Sequence, residues 1–196
     1  VLSRRRVAAI LLALGLGACA TTPPPHPADQ FMAGLATLCG RTVPARLVST
    51  DPADAAFAAG PLVMGPVACA DGQVRIPLAV GEDRSRTWVV TRTEAGVRLK
   101  HDHRHAVAEH GAGRAHADGS VDELSDYGGE SDGAGTATRQ AFPADAFSRI
   151  LFERTGRQVS MTNVWAVEIV PGTLFAYELR RPNRFFRIEA DLSAPR

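Results

Sequence analysis

The stretch from Val74 to His105 reads VRIPLAVGEDRSRTWVVTRTEAGVRLKHDHRH and carries three strands. Val74, Ile76, Leu78 and Val80 alternate with polar or small residues, the period of a half-buried strand. Thr87 to Thr93 is rich in β-branched and aromatic residues, which fit a pleated surface. Glu94-Ala95-Gly96 makes a hairpin connection. Beyond it Val97, Leu99, His101, His103 and His105 fall on one face of the next strand.

Both flanks extend the pattern. Ala137 to Phe142 reads as a strand, and Pro143 begins a helix with Phe147, Ile150 and Leu151 on one face and Gly156 as its stop. Asn163 to Val170, Leu174 to Arg181 and Arg184 to Leu192 are further strands, separated by Pro171-Gly172 and Pro182-Asn183. Upstream, Asp29 caps a short helix carrying Phe31, Leu35 and Leu38, which Gly40 ends. Asp51-Pro52 opens a brief helical turn before Gly60. Residues 106–136 are Gly, Ala, Asp and His with few large apolar groups, and a long flexible loop is expected there, with Tyr127-Gly128-Gly129 as a tight turn within it. Short strands with tight turns predict a mainly β fold. An antiparallel meander closes as a small lipocalin-like barrel or folds as a sandwich, with one or two short helices. Closure disposes of exposed sheet edges.

Composition sets the outer bounds. The chain has 196 residues, 45% of them hydrophobic, with 22 basic against 21 acidic side chains. That suits one domain with a real core and excludes wholesale disorder. Near-neutral charge supplies no basic face for nucleic acid. Lys100 is the only lysine beside many arginines, which reads as coding bias.

The N-terminus reads as an address. Arg4, Arg5 and Arg6 precede an apolar run from Val7 to Gly17, followed by Ala18-Cys19, the layout of a secretory signal. The run is shorter than the ~20 residues that span a bilayer. Leu16-Gly17-Ala18-Cys19 resembles the lipobox of bacterial lipoproteins, which implies cleavage after residue 18 and lipidation of Cys19. Acyl chains contribute about 0.8 kcal/mol per buried CH₂ and hold a domain at a membrane surface. Thr21 to Asp29 (TTPPPHPAD) is a semi-rigid Pro-rich tether. By resemblance to the sorting of such lipoproteins, Ala20 after the lipidated Cys implies the periplasmic side of the outer membrane. The expected organisation is a signal peptide over 1–18, lipidated Cys and tether over 19–29, and one β-rich domain over 30–196. Loss of three Arg leaves the mature chain at about −2. Cys39 and Cys69 remain, and an oxidising compartment predicts a disulfide between them. Closing a loop of about 30 residues stabilises by roughly 3–4 kcal/mol on the chain-entropy model.

The sharpest chemical feature is His101-Asp102-His103-Arg104-His105. On a strand the three imidazoles point one way, about 7 Å apart, while Asp102 and Arg104 point the other. Neutral imidazole is the commonest side-chain ligand for Zn, Cu, Ni and non-haem Fe, and two His one residue apart can converge on one divalent metal. Asp118 and Asp122, with Glu109 and Glu123, are candidates to complete the shell. The structural alternatives are a solvated strand end and a buried His–carboxylate network. Arg84 and Arg86 flank Ser85 before Trp88. Arginine pairs bind carboxylate or phosphate, though Glu82 and Asp83 offer a local ion pair instead. Tyr127 is a candidate to bring its phenol near the His face. Trp88 and Trp165 read first as core. No GxSxG, phosphate-binding glycine loop, HExxH or CxxC occurs.

Two resemblances attach to these residues. His103-x-His105-x₃-Glu109 resembles half of the first cupin metal motif, without the second. RIPLAVGEDRSRTW (75–88), GVRLKHDHRH (96–105), YGG (127–129), GTATRQAFPAD (135–145) and NVWAVE…FAYELRRP…FRIEADL (163–192) together resemble an uncharacterised family of small secreted bacterial proteins. In that pattern an acidic-Asp-Gly-Ser stretch follows the last His almost directly. Here Ala106 to Ala117 intervenes, which marks an insertion and leaves His101, His103 and His105 as the better candidates over Glu109, His110 and His116. The likeness implies a domain boundary and no activity.

Three functions follow as expectations. The first is a lipid-anchored module binding a divalent metal or small ligand near the His strand. The second is a metal-dependent enzyme using the same His with an Asp or Tyr as acid or base. The third is a structural protein that partners another envelope protein.

Overall fold

A computed structural model describes residues 25–103, 124–131, 133 and 135–194. Eleven strands form one antiparallel sheet that curls into a nearly closed barrel. Strands β4 (Gln73–Val80), β5 (Asp83–Arg92), β6 (Val97–His103) and β7 (Tyr127–Glu130) make one meander. A second comprises β8 (Arg139–Pro143), β9 (Val164–Val170), β10 (Leu174–Arg181) and β11 (Arg184–Asp191). The short β1 (Val43–Leu47) and β2 (Leu62–Met64) join the two, β1 pairing with β11 and β2 with β4. A small β3 (Ala68–Ala70) pairs with β4 outside this path. The barrel alternative is the one adopted.

Period two dictates what lies inside. Ile76, Val90, Leu99, Phe142, Val167, Phe175 and Ile188 alternate inward and are almost wholly buried. At one end helix α1 (Pro27–Ala36) plugs the barrel, packing Phe31 and Leu35 against β4, β5 and β9. The Cys39–Cys69 disulfide ties the segment after this helix to β3. Phe57 of the short helix α2 (Ala55–Ala58) sits near the opposite end, 4.7 Å from the Phe186 ring.

The outer wall is polar. Glu178 is 3% exposed yet points away from the core, receiving hydrogen bonds from Arg139 (2.8 Å), Arg180 (3.0 Å) and Arg187. Arg187 also reaches Glu168 (3.2 Å) and Glu189 (2.7 Å). A barrel crossing a bilayer turns an apolar band outward, whereas β8 to β11 turn a ladder of ion pairs outward. Among the described residues no helix is long and apolar enough to cross a membrane. Burial alone would raise the Glu178 pKa, but the three guanidinium hydrogen bonds outweigh it and lower it to about 2. A carboxylate depressed in this way stabilises the fold above its unfolded pKa near 4.5, and that contribution disappears as pH falls toward 2. After allowance for solvent screening, Glu178→Gln is expected to cost about 2 kcal/mol at pH 7. By urea denaturation the difference from the native chain should shrink below pH 4.5.

Several expectations are corrected. The span 106–136 contains a strand, β7, where a continuous loop with a tight turn at 127–129 is expected from its composition. Its Gly128-Gly129 is extended backbone hemmed in by neighbours, so the absent side chains are a packing requirement. Three α-helices form instead of one or two. His26, not Asp29, caps α1, and Asp29 pairs with Arg92 at 2.7 Å. Pro143 ends β8, and helix α3 (Ala146–Arg154) starts later, capped by Asp145 accepting from the Ser148 N–H at 2.8 Å. Its buried face is Ser148, Leu151 and Phe152, while Phe147 and Ile150 are 53% and 56% exposed. The reason is polar: the Ser148 hydroxyl accepts from the Gly128 N–H at 2.7 Å, so a serine sets the docking face.

Candidate functional site

The barrel end opposite α1 holds a cavity of about 270 Å³. Antiparallel pairing builds its floor. Trp88 lies opposite His101, and His101 opposite Tyr127, so three adjacent strands place these rings in one row. On the facing wall Trp165 lies opposite Leu179, and Leu179 opposite Phe186. Tyr177, two residues before Leu179 on the same face, reaches across to the first row. Its ring stacks on Trp88 at 4.3 Å between centroids, and His101 stacks on Tyr127 at 4.5 Å.

His101 is the polar centre of this floor. Its Nδ1 lies 3.0 Å from the Tyr127 carbonyl oxygen and its Nε2 lies 2.7 Å from the Tyr177 hydroxyl. A carbonyl only accepts, so Nδ1 carries the proton, and the lone pair on Nε2 accepts from the tyrosine O–H. Burial lowers the imidazole pKa to about 3, with the charges of His103 and Lys100 adding to the effect. Burial likewise holds the Tyr177 phenol well above its usual pKa. The pair is uncharged across the neutral range. An imidazole with so low a pKa is a poor general base near pH 7, and a metal ligated at Nε2 would have to displace the tyrosine proton.

The sequence candidates divide clearly. Val97, Leu99 and His101 are buried on one face, and half-buried His103 lines the same cavity. Asp102 faces the other way and pairs with Arg75 at 2.6 Å, while Lys100 pairs with Asp145 at 2.7 Å. Tyr127 lines the cavity beside His101. Arg86 lines it too, paired with Asp83 and lying 5.3 Å from the Phe57 ring centroid, whereas exposed Arg84 donates to the Gly81 carbonyl at 2.7 Å. His105, Asp118, Asp122 and Cys19 lie outside the described residues, as do Glu109, His110, His116 and Glu123. Among the described residues no three His, Cys, Asp or Glu side chains gather to hold a metal ion.

Four further lining residues carry charge or polarity that the sequence reading passed over. Arg184 is paired with Asp54 and, at 3.3 Å, with Asp51. Arg181 donates to Asn163 Oδ1 at 3.2 Å, and exposed Arg157 brings the cavity to the surface. The signal for Arg181 and Arg184 is the run Leu179-Arg180-Arg181-Pro182-Asn183-Arg184, a hairpin tip with three arginines. The chain matches no family model, and no curated protein or solved structure is significantly similar to it.

Proposed function

We propose that the protein is a binding module for a small, largely apolar ligand, held at the periplasmic face of the outer membrane by lipid on Cys19. The observation that carries the reading is the barrel-end cavity. Its walls are aromatic, its polar centre is the neutral His101–Tyr177 pair, and its 270 Å³ lies near the lower bound of ligand pockets, about 300 Å³. The lipobox-like Leu16-Gly17-Ala18-Cys19 and the Pro-rich tether support the anchor, and the disulfide suits an oxidising compartment.

The chain has two tryptophans, and both line this cavity. Ligand entry is therefore reported by intrinsic fluorescence without labelling. Titration with octan-1-ol should give a saturable change in tryptophan emission, and Trp88→Phe should remove a large part of the signal. Emission that does not respond to any small amphiphile would overturn the reading. Addition of Zn, Cu, Ni or Fe that raises the melting temperature, with the rise lost in His103→Ala, would favour a metal site shared with His105, Asp118 and Asp122 instead. For the anchor, Cys19→Ala should shift the protein from the membrane fraction to the soluble one.

A further inference from the structure

The rim of the cavity is built from arginines in two different electrostatic situations. Arg86 is neutralised by Asp83, three residues before it on β5, and Arg184 by Asp51 and Asp54. Arg157 and Arg181 pair with no carboxylate among the described residues. Arg181 Nη1 donates to Asn163 Oδ1 at 3.2 Å and to Ser160 Oγ at 3.4 Å, and Arg157 Nη1 donates to the Thr155 carbonyl at 3.2 Å. All of these acceptors are neutral. The two arginines share a neighbour, since Ser160 also donates its backbone N–H to the Arg157 carbonyl at 2.8 Å. A guanidinium keeps its charge at any physiological pH and presents a planar fork of donors suited to carboxylate or phosphate. Beneath this rim the walls are largely aromatic, with the neutral His101–Tyr177 pair at their centre. A positive rim above an apolar floor is complementary to a ligand with an acidic head and an apolar body.

We propose that Arg157 and Arg181 bind the head group of the cavity's ligand, which is a small acidic amphiphile: a carboxylate or phosphate on an apolar body. At about 30 Å³ for each water-sized group, the cavity takes roughly nine such groups. The inference rests on the cavity being a binding site, and deepens that reading by naming the ligand class.

Octanoate and octyl phosphate, compared with octan-1-ol by tryptophan emission, separate the two. The acidic probes are expected to bind at least ten-fold more tightly than the alcohol, and to weaken as salt is raised. Arg157→Met and Arg181→Met should each remove most of that preference, weakening the acidic probes far more than octan-1-ol, and Arg181→Lys should restore part of it. Circular dichroism confirms that each variant is folded, and exposed Arg157 gives a variant with little structural cost. Equal binding of alcohol and acids, or a preference that survives both substitutions, overturns the head-group assignment and leaves the cavity reading standing. No response to any of the three, and none to vesicles, overturns both. Emission that responds to phosphatidylcholine vesicles only when they contain phosphatidylglycerol, in an Arg181-dependent manner, supports the same assignment with the acidic head drawn from membrane lipid.

Discussion

Gly129→Ala lowers the unfolding free energy by about 3 kcal/mol or more, and Gly128→Ala does the same. Both residues lie in β7, where the barrel closes. A Cβ added to Gly129 would sit inside the van der Waals envelope of the Pro143 carbonyl oxygen at the end of β8, and one added to Gly128 would meet the Leu99 carbonyl oxygen on β6. Neither neighbour is the far end of a flexible side chain, so backbone must move. Moving it is costly, because Gly128 also anchors the start of α3. Its N–H donates to Ser148 Oγ at 2.7 Å, and its carbonyl accepts from the Asp145 N–H at 3.0 Å. The seam, the helix and Tyr127 therefore shift together. Thermal unfolding should show a fall of several degrees or more in melting temperature, and tryptophan emission of the folded variant should already be altered, since Tyr127 lies 5.7 Å from Trp165. A variant with native melting behaviour would mean that β7 does not pack against β8 as described.

The same segment marks where sequence reading stopped. Strands β4 to β6 and β9 to β11 were legible because their inner faces, Val74 to Leu78 or Phe186 to Ala190, alternate large apolar side chains with polar ones. β7 carries two glycines at its centre, and glycine has neither periodicity nor strand preference. Only the carbonyl oxygens on either side explain it. The buried face of α3 is hidden from sequence for a related reason: Phe147 and Ile150 have the right spacing for a core stripe, but the helix docks through a serine hydroxyl that hydrophobic periodicity cannot register. In the site, His101 and His103 facing one interior followed from their alternation. Tyr177 was hidden in an apolar run, Phe175-Ala176-Tyr177, and only a strand from the other half of the barrel brings its hydroxyl to His101. Arg157 and Arg181 are 24 positions apart, and no local pattern links them.

Acid should weaken the fold well before its carboxylates protonate. In the unfolded chain His101 takes a proton near its ordinary pKa of 6.5, whereas in the barrel its pKa is lowered to about 3. Below pH 6.5 the unfolded state therefore binds a proton that the native state refuses, and stability falls as pH falls. The loss reaches about 3 kcal/mol by pH 4.5 and about 4 kcal/mol near pH 3, at 1.36 kcal/mol per unit. Among the described residues the groups around the ring give no relief. Tyr177 and Tyr127 offer a neutral hydroxyl and a carbonyl, His103 and Lys100 add repulsion, and the nearest carboxylate along the strand, Asp102, is turned to Arg75 on the other face. Glu178 contributes its own acid sensitivity only below about pH 4.5, so the interval from 6.5 to 4.5 isolates His101 from it. His101→Gln keeps an amide able to donate to the Tyr127 carbonyl and to accept from Tyr177, but it does not titrate. Urea denaturation at pH 7.5, 5.5 and 4.5 should find the variant less stable than the native chain at pH 7.5, by about 1 kcal/mol. Its dependence on pH should be much flatter, so that the two stabilities converge and then cross on acidification. Parallel slopes would show that the imidazole already reaches water in the folded barrel, and a buried, neutral His101–Tyr177 pair could not then centre the cavity floor.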